Sequence, residues 1–385
     1  MFDFSQISIT EWTLIGALGL LFLAQLYWYI RYMAAPARKL RRDNKSQISE
    51  APGVSVILCA HNEAYNLSNY LQALLTQDYP TYEVIVVDDG SEDDTRAAIE
   101  SYMVRDSRLH MTFVPFGARV GSTKKLALTL AAKAAQYDYL LLTDADCRPE
   151  SNQWIREMVT GFQPSTDIVL GYGAYFYEKG HVNRLVRFDT LFNGLHYLGA
   201  AICGHPYMGV GRNLAYRKSL FFDSGGFTHQ MMNRAGDDDL FVNHTATKQN
   251  TQVVLSRESY TWSPAKKTLG EWLQQKRRHL SVSPAYRSQT KARLVFEPIT
   301  RGLFYALVLG LIITHPELSL TNYILFAAVG LFLVRWIIQT SIVNVSARRM
   351  GLHGFNMFSV LWFDIVLPLV SLWILAVPKR NNKKW

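Results

Sequence analysis

Acidic side chains follow two separate apolar segments of the chain, where a parallel sheet would present them to a ligand. They are Asp88 and Asp89 after segment 84–87, and Asp144 and Asp146 after segment 139–143. The carboxyl ends of parallel strands meet at one edge of a sheet, and ligands bind there in open α/β folds. Carboxylates at that edge can accept hydrogen bonds from a base or ribose and can hold a divalent cation against phosphates. A single Asp there could equally form a turn or a helix N-cap, but two pairs favour a binding site.

A third acidic group, Asp237–Asp239, follows Gly236 further along the chain. An Asp that opens a helix can take a proton from an attacking hydroxyl, because neighbouring carboxylates raise its proton affinity. The alternative is purely structural, since the helix macrodipole also favours carboxylates at a helix N-terminus.

The elements that would position these groups alternate along the chain. Strands are predicted at 54–60, 84–87, 109–114 and 139–143, and helices at 67–75, 94–104 and 122–135. This order favours an α/β fold with a mostly parallel sheet wrapped by helices. The first strand ends in His61-Asn62-Glu63 rather than in a glycine-rich fingerprint, so ordinary dinucleotide binding is not favoured.

The composition indicates that part of the chain lies in a membrane. Of the 385 residues, 49% are hydrophobic and only 18% are charged. The charged fraction is below the roughly 25% that is usual for soluble domains. A chain with so many hydrophobic and so few charged residues is not a disordered one. Trp12–Ile30 is long enough to span a bilayer as a helix. The net charge of +9 is concentrated beside apolar segments, which predicts contact with anionic membrane lipids and no nucleic-acid partner. Three cysteines without paired spacing favour a reducing compartment, with neither a disulfide framework nor a zinc cluster.

The chain becomes apolar again after residue 298, and this divides it into six regions. They are an N-terminal transmembrane anchor (1–33), a basic cytoplasmic linker (34–51), the α/β domain (52–283), an interfacial segment (284–298), a C-terminal membrane region with two or three hydrophobic helices (299–378) and a basic tail (379–385).

Positive charge after the first apolar segment predicts which side of the membrane the domain occupies. Residues after Arg31 are expected to face the cytoplasm, which predicts a multi-pass protein of the inner membrane with a cytoplasmic α/β domain. Three full C-terminal crossings would leave the basic tail outside, so the last segment, which contains Asp364 and Pro368, is expected to be re-entrant or interfacial. Arg335 could pair with Asp364 or extend to the membrane surface.

Five motifs in a fixed order resemble the family 2 glycosyltransferases, inverting nucleotide-sugar-dependent enzymes with a GT-A fold. The resemblance covers about residues 52–282 and depends on Val54-Ser55-Val56-Ile57 with His61-Asn62-Glu63, Val87-Asp88-Asp89-Gly90-Ser91, Asp144-Ala145-Asp146, Gly236-Asp237-Asp238-Asp239-Leu240 and Gln275-Lys276-Arg277-Arg278-His279. The implied fold is a GT-A-type nucleotide-sugar-binding domain with a mostly parallel sheet, flanked by transmembrane helices.

The resemblance also implies roles for individual residues. Glu63, Asp89, Lys124 and Asp144 would bind the nucleotide, and Asp144 and Asp146 would form an Asp-x-Asp motif for Mg²⁺ or Mn²⁺. Asp238 would be the general base. These roles agree with the chemistry, because displacing a nucleoside diphosphate requires neutralisation of its developing charge and deprotonation of the attacking hydroxyl.

The motif at residues 275–279 differs from the Gln-x-x-Arg-Trp pattern of processive family members. His279 occupies the position of the Trp, which in the family lies near the acceptor, so single addition is favoured over polymer synthesis. A second register starting at Gln274 would put Arg278 at that position. In the first register, Arg278 can contact the diphosphate as a bidentate donor, while Lys276 and Arg277 are expected to face lipid headgroups. The residues predicted to contact the acceptor or the diphosphate are Asp237, Gln275, Arg278 and His279.

The predicted function is transfer of a sugar from a nucleotide sugar, most simply UDP-linked, to a lipid-linked or saccharide acceptor at the cytoplasmic membrane face. One alternative is a polyprenyl-phosphate glycosyltransferase, whose phosphate acceptor needs no strong base. Another is a non-catalytic membrane subunit of a polysaccharide assembly system that keeps the fold as a scaffold. Substitution of Asp238 tests the first alternative, and nucleotide binding tests the second.

Overall fold

The computed structural model describes residues 8–42, 51–115, 117–118, 122–231, 235–317 and 323–377. The predicted basic tail, 379–385, and residues 43–50 of the predicted linker lie outside these ranges. The described residues form an α/β domain joined to four helices that are long and apolar enough to cross a membrane.

The strands of the domain belong to two sheets. They are β1 (Val54–Ala60), β2 (Tyr82–Asp88), β3 (Leu109–Phe113), β4 (Tyr139–Leu142), β5 (Arg148–Pro149), β6 (Ile168–Leu170), β7 (Gly173–Tyr175), β8 (Leu214–Arg217), β9 (Thr251–Val253) and β10 (Thr261–Ser263). The larger sheet has the order β3-β2-β1-β4-β8-β6-β9, and the smaller one has the order β5-β10-β7.

The helices cover the sheet and then continue into the apolar regions. Those of the domain are α3 (Ala64–Leu75), α4 (Thr95–Met103), α5 (Thr123–Ala134), α6 (Trp154–Val159), α7 (His181–Ile202), α8 (Lys218–Asp223), α9 (Asp239–Thr245) and α10 (Leu269–Leu280). The others are α1 (Ile9–Trp28), which continues as a π-helix (Tyr29–Met33), α2 (Ala35–Arg42), α11 (Ser288–Thr314), α12 (Tyr323–Arg349) and α13 (Met357–Ala376).

The centre of the large sheet is parallel, and its strands are buried on both faces. Every residue of β2 is buried, as are six of the seven residues of β1, a pattern typical of strands covered by helices on both sides. Strands β3, β2, β1 and β4 are mutually parallel, and Ala60 at the end of β1 lies opposite Asp88 at the end of β2. The predicted α/β fold with a mostly parallel sheet is confirmed.

Strand β8 runs in the opposite direction. This reversal brings a loop to the edge of the sheet where β1, β2 and β4 end. It is antiparallel to both β4 and β6, with Leu214 opposite Leu142. An antiparallel strand begins at the edge where its neighbour ends, so the loop before β8 lies beside the end of β4. The Thr143 hydroxyl donates a 3.1 Å hydrogen bond to the carbonyl oxygen of Arg212 in this loop.

Three of the long apolar helices pack on one another away from the sheet. Leu18 of α1, Phe304 of α11 and Ala328 of α12 belong to one buried apolar cluster. Helix α13 is different, because its buried residues Phe363 and Leu367 belong to the core cluster of the α/β domain. Among the described residues after 287, three helices, α11, α12 and α13, are long and apolar enough to cross a membrane.

A buried group of charges joins these helices near the domain. Asp364 of α13 accepts from Arg335 of α12 at 3.0 Å and from Arg301 of α11 at 2.7 Å. Glu297 lies one helical turn before Arg301 and pairs with it at 3.0 Å. Of the two alternatives for Arg335, the structure has the pair with Asp364, and mutual pairing with further hydrogen bonds offsets the burial of both charges.

Candidate active site

The carboxyl edge of the large sheet gathers the acidic motifs into one region. Strands β1, β2 and β4 are neighbours and parallel, so the residues that follow them emerge together. These residues include Glu63, Asp89, Asp144 and Asp146. The sheet order alone therefore explains why motifs separated by up to about 80 positions in the sequence meet at one edge.

Lys124 connects two of the acidic motifs. Its Nζ lies 3.1 Å from Asp144 Oδ1 and 3.1 Å from Asp237 Oδ2. The lysine is held at the start of α5, where the Ser122 side chain caps the helix. Burial alone would lower the pKa of Lys124, but Asp144, Asp237 and Asp238 together raise that pKa well above its ordinary value. One ammonium group thus neutralises part of the acidic cluster and fixes the distance between strand β4 and the start of α9.

The Asp-x-Asp motif has the donor groups of a divalent metal site. Carboxylate oxygens of Asp144 and Asp146 and the sulfur of Cys147 all lie within 4.8 Å of one another. Burial raises the pKa of the Cys147 thiol, and the charges of Asp146 and Asp144 raise it further. Sulfur is also a soft ligand, which Mg²⁺ and Mn²⁺ do not favour. The two carboxylates are the hard oxygen ligands that Mg²⁺ and Mn²⁺ prefer. The residues present fit such an ion.

The two carboxylates of this motif have unequal electrostatic surroundings. Burial raises the pKa of Asp146, and the charge of Asp144 raises it further. Burial acts in the same direction on Asp144, but Lys124, Arg212 and Arg278 outweigh it and hold the pKa of Asp144 below its ordinary value. Asp144 is therefore already compensated by protein cations, whereas Asp146 gains most from a bound cation.

Asp238 occupies the N-cap position of α9 and is held by two backbone donors. Its Oδ2 accepts from the Gly211 N–H at 2.6 Å, and its Oδ1 accepts from the Asp239 N–H at 2.8 Å. A Cβ on Gly211 would lie 3.3 Å from Asp238 Oδ2, so glycine allows this approach. Burial, and then the charge of Asp237, raise the pKa of Asp238 from 3.8 to about 6. The side chain can therefore be ionised at neutral pH and still accept a proton readily.

The structure separates the three consecutive aspartates. Asp237 pairs with Lys124. Asp239 is buried and shares a hydrogen bond with the Tyr286 hydroxyl, and burial followed by the charges of Asp238 and Asp237 raises the pKa of Asp239 well above its ordinary value. Asp238, between them, is only partly buried and has two fixed oxygens. Its position suits the role of proton acceptor better than that of either neighbour.

Glu63 and Asp89 lie at the ends of β1 and β2. The Glu63 carboxylate accepts from Asn66 Nδ2 at 2.5 Å, and burial raises its pKa. Burial also raises the pKa of Asp89, although a hydrogen bond with Thr123 at the start of α5 opposes this. Asp88, in contrast, is buried and accepts from the Ser91 N–H at 3.0 Å, so it stabilises the turn. Both partly exposed carboxylates can accept hydrogen bonds from a ligand at this edge of the sheet.

Comparison with known proteins assigns this arrangement to a family. Residues 55–225 match the family model described as Glycosyl transferase family 2. The chain carries a family 2 glycosyltransferase domain. The chain is 30% identical over 102 residues to a poly-β-1,6-N-acetyl-D-glucosamine synthase of Staphylococcus epidermidis, an alignment of 26% of this chain and 24% of the synthase. It is 29% identical over 148 residues to glycosyltransferase AglE of Haloferax volcanii, covering 38% of this chain and 47% of AglE. The matched part of the chain thus spans about a quarter of the synthase and about half of AglE.

The fold of the family 2 domain and its helices also resembles a solved structure. The mannosyltransferase PcManGT from Pyrobaculum calidifontis, in complex with GDP-Man and Mn²⁺, aligns with a TM-score of 0.56 and 18% identity over 93% of this chain and 98% of that one. At this identity the likeness concerns the fold. The GT-A architecture predicted from the sequence is confirmed.

Helix α10, which follows the residues that match the family model, carries three of the residues predicted to contact the acceptor or the diphosphate. Gln275 Nε2 donates a 2.9 Å hydrogen bond to the Tyr175 hydroxyl at the end of β7. Arg278 is exposed, and its charge contributes to the lowered pKa of Asp144, so it lies on the side of the metal site. His279 is exposed at the next position of the helix. Contacts of these residues with donor or acceptor remain predictions.

The expectation that Lys276 and Arg277 face lipid headgroups is wrong for Lys276. Its ammonium group forms a buried ion pair with Asp189 of α7, and both side chains are only 12% exposed. Trp272 Nε1 donates to the same carboxylate at 3.3 Å. The guanidinium of Arg277 lies 5.8 Å from the ring centroid of Trp373 in α13. The side chains of Lys276 and Arg277 are therefore positioned by their contacts with α7 and α13.

Arg212 is a site residue that the sequence motifs did not single out. Its Nη1 donates to the Ser263 hydroxyl at 2.8 Å and to the Ala174 carbonyl at 3.2 Å, and its guanidinium lies 4.2 Å from the centroid of the Tyr175 ring. It is also close enough to Asp144 to contribute to the lowered pKa of that residue. In the sequence, this residue is recognisable only as an Arg in loop 209–213, which also contains two glycines. Its position at the site depends on the reversed direction of β8.

Proposed function

We propose that this family 2 glycosyltransferase transfers a sugar, with inversion, from a nucleotide sugar, UDP-linked in the first instance, to a lipid-linked or saccharide acceptor. One observation carries the proposal: Lys124 contacts both Asp144 and Asp237 at 3.1 Å. This lysine places the carboxylates suited to a metal beside the acidic group that contains the candidate base. Donor activation and acceptor deprotonation therefore have their residues within one cleft.

The residues at this edge account for each requirement of the reaction. Glu63 and Asp89 accept hydrogen bonds from the nucleoside, and Asp144 and Asp146 hold the cation. When bound, Mg²⁺ or Mn²⁺ neutralises negative charge on the departing diphosphate as a Lewis acid. Arg278 and Arg212 add positive charge on the same side, as the lowered pKa of Asp144 reflects.

Asp238 performs the proton transfer. The acceptor oxygen forms a bond to the anomeric carbon while the bond from that carbon to the diphosphate oxygen breaks, and its electron pair leaves with the nucleoside diphosphate. The proton of the acceptor hydroxyl moves to the Asp238 carboxylate. The Gly211 and Asp239 N–H groups fix both carboxylate oxygens, so the base is oriented before the acceptor arrives.

We also propose that the domain faces the cytoplasm, with α1, α11 and α12 as membrane spans and α13 along the membrane surface. The ring of Phe363 in α13 packs at a tilt against that of Phe188 in α7, with centroids 4.8 Å apart, and the ring of Trp373 lies 5.8 Å from the guanidinium of Arg277 in α10. These positions are ten residues apart, so α13 contacts the domain over about 15 Å of its length. A helix that crossed the bilayer would leave the domain surface. This arrangement puts the basic tail on the side of the domain, as the positive-inside rule requires.

The first experiment measures release of nucleoside diphosphate by the detergent-purified chain from a panel of UDP and GDP sugars, with Mg²⁺, Mn²⁺ or EDTA. A membrane lipid extract supplies acceptors. We expect metal-dependent release from one donor, stimulated by the extract and abolished in Asp146→Asn and Asp238→Asn. The matched control is Asp223→Asn, at an exposed position at the end of α8.

Other outcomes would reject parts of the proposal. No release and no metal-dependent nucleotide binding would favour a scaffold without catalysis. Full activity of Asp238→Asn would favour a phosphate acceptor, which has no hydroxyl proton to remove. A C-terminal epitope that is digested by protease added outside intact spheroplasts would reject the proposed position of α13.

A further inference from the structure

Helix α10 carries Gln275 and Arg278 on the side of the cleft, yet little of this helix is packed. Of its 12 residues only Trp272 is buried, and half of the others or more are exposed. Helix α7 beside it is different, because more than half of its 22 residues are buried. Close packing fixes the position of an element such as α7. The orientation of α10 must instead depend on a few specific contacts.

Asp189 of α7 receives two of these contacts. Its Oδ1 accepts from Lys276 Nζ, and its Oδ2 accepts from Trp272 Nε1 at 3.3 Å. The Lys276 ammonium also lies 5.8 Å from the centroid of the Trp272 ring. Asn193, one turn further along α7, donates to Oδ1 at 3.0 Å and so helps to hold the carboxylate. Both carboxylate oxygens therefore have donors, and the two donors from α10 lie on one face of that helix because they are four residues apart.

The burial of this ion pair favours a role in orientation over a role in stability. The side chains of Asp189 and Lys276 are each only 12% exposed. Taking two charges out of water costs about as much as their attraction returns, and an apolar pair of similar volume often holds two elements together equally well. An ion pair adds direction. Lys276 and Trp272 can reach the same carboxylate together in only one rotation of α10 about its axis.

This rotation decides where Gln275 and Arg278 point. Gln275 donates to the Tyr175 hydroxyl at 2.9 Å. The pKa of Asp144 is held below its ordinary value by Lys124 first and then by further cations that include Arg278, so the charge of Arg278 reaches the cleft. A helix with its side chains has a radius of about 5–6 Å, and a rotation of about 20° would therefore move the Arg278 side chain by about 2 Å. A shift of that size breaks a hydrogen bond.

We propose that Asp189 is a positioning residue of the transferase: by fixing the rotation of α10, it places Arg278 against the diphosphate of the donor. It acts through Lys276 and Trp272 and not by contact with the substrate. The inference rests on the proposed function, because the donor diphosphate belongs to that function. Its consequence is specific, since loss of Asp189 should weaken diphosphate binding only while Arg278 is present.

A double-mutant cycle tests this dependence on Arg278. The measurement is equilibrium binding of radiolabelled UDP or GDP, with Mn²⁺, to the detergent-purified full chain. Arg278→Gln should weaken binding about tenfold or more, since a charge-assisted hydrogen bond is lost. Asp189→Asn should weaken it about three- to tenfold, because the arginine remains but is displaced. In the Arg278→Gln background the same substitution should change binding less than about twofold. Unchanged binding by Asp189→Asn, or an equal effect in both backgrounds, would overturn the inference.

A second variant separates orientation from stability. Asp189→Asn with Lys276→Met removes both charges, so it should unfold at the temperature of the wild type and still bind the diphosphate about three- to tenfold more weakly. Recovery of wild-type binding along with wild-type stability would overturn the inference, because the pair would then serve stability alone. The matched control is Asp106→Asn, which removes a carboxylate that pairs with Arg108 at 2.6 Å before β3, at the opposite edge of the sheet. It should leave diphosphate binding unchanged.

Amide hydrogen exchange separates failure of this inference from failure of the proposed function, since it needs no nucleotide. In Asp189→Asn and in the double variant, α10 should lose protection while α5 and α9 keep theirs. Unchanged protection of α10 would overturn the inference whether or not the chain transfers a sugar. A wild-type chain that binds no nucleotide would reject the transferase. Loss of α10 protection in that chain would still support Asp189 as the residue that fixes this helix.

Discussion

Acidification tests the assignment of Asp238 most directly, because the structure fixes the pH at which activity should fall. The pKa of this carboxyl is raised from 3.8 to about 6 by burial and by Asp237. The active form is the carboxylate, so activity should be lost as the pH falls through about 6. At pH 7.5 about 97% of a group with this pKa is ionised, and at pH 5 only about 9%. A carboxyl at 3.8 would still be about 94% ionised at pH 5.

The assay is nucleoside diphosphate release at subsaturating donor, with acceptor extract and metal, between pH 4.5 and 8. Under these conditions the rate follows kcat/KM, which reports ionisation in the free enzyme, the state to which the pKa of about 6 applies. We expect a fall of about tenfold between pH 7.5 and 5, with a slope of one proton. Asp238→Asn should lower kcat/KM by roughly 10²–10⁴ and remove the acidic limb. Binding of a fluorescent nucleotide over the same range serves as the control for loss of donor or metal.

An acidic limb near pH 4 would refute the reasoning, since it would mean that burial does not raise the proton affinity of the base. So would an unchanged limb near pH 6 in the residual activity of Asp238→Asn, because the titrating group would then be another member of the acidic cluster. The limb belongs to the coupled cluster as a whole, so the substitution is needed to assign it.

Three further substitutions test the packing on which the site depends. Gly211→Ala puts a Cβ 3.3 Å from Asp238 Oδ2 and should lower kcat about ten- to hundredfold with little change in nucleotide binding or thermal midpoint. Gly199→Ala puts a Cβ 2.0 Å from a carbonyl oxygen of the π-helix and should destabilise the protein by about 1–3 kcal/mol in a thermal unfolding assay. The control, Gly19→Ala, has open space around its Cβ and should leave the stability unchanged. Asp364→Asn leaves Arg301 and Arg335 without their shared carboxylate and should destabilise by roughly 3–5 kcal/mol, and an unchanged melting temperature would show that the pairs add nothing.

Much of the catalytic edge could be predicted because it depends on local patterns. A continuous apolar run predicted β1 at 54–60, the residues it occupies, and acidic residues after apolar runs predicted which side chains meet at the sheet edge. No further information was needed to predict that these side chains lie together, since the carboxyl ends of neighbouring parallel strands lie at the same edge of the sheet.

The surroundings of those residues could not be predicted because they depend on contacts between distant segments. Nothing local indicates that β8 is reversed, yet this reversal places Arg212 beside Asp144. The sequence likewise does not distinguish the three carboxylates of Asp237–Asp239 from one another. Their separate roles arise from Lys124, Gly211 and Tyr286, which come from three other parts of the chain.

Helix α10 shows that membrane anchoring and the active site are parts of one structure. One side of this helix is held by Lys276, whose ion pair with Asp189 ties it to α7, and by Arg277 against Trp373 of α13. Its other side presents Gln275 to Tyr175 and Arg278 toward Asp144. Because α13 also carries Asp364, which pairs with both α11 and α12, one series of contacts joins the apolar helices to the helix that carries Arg278. Through α10, the apolar helices therefore support the side of the cleft where Arg278 lies, beside Asp144 and Asp146, the proposed metal ligands.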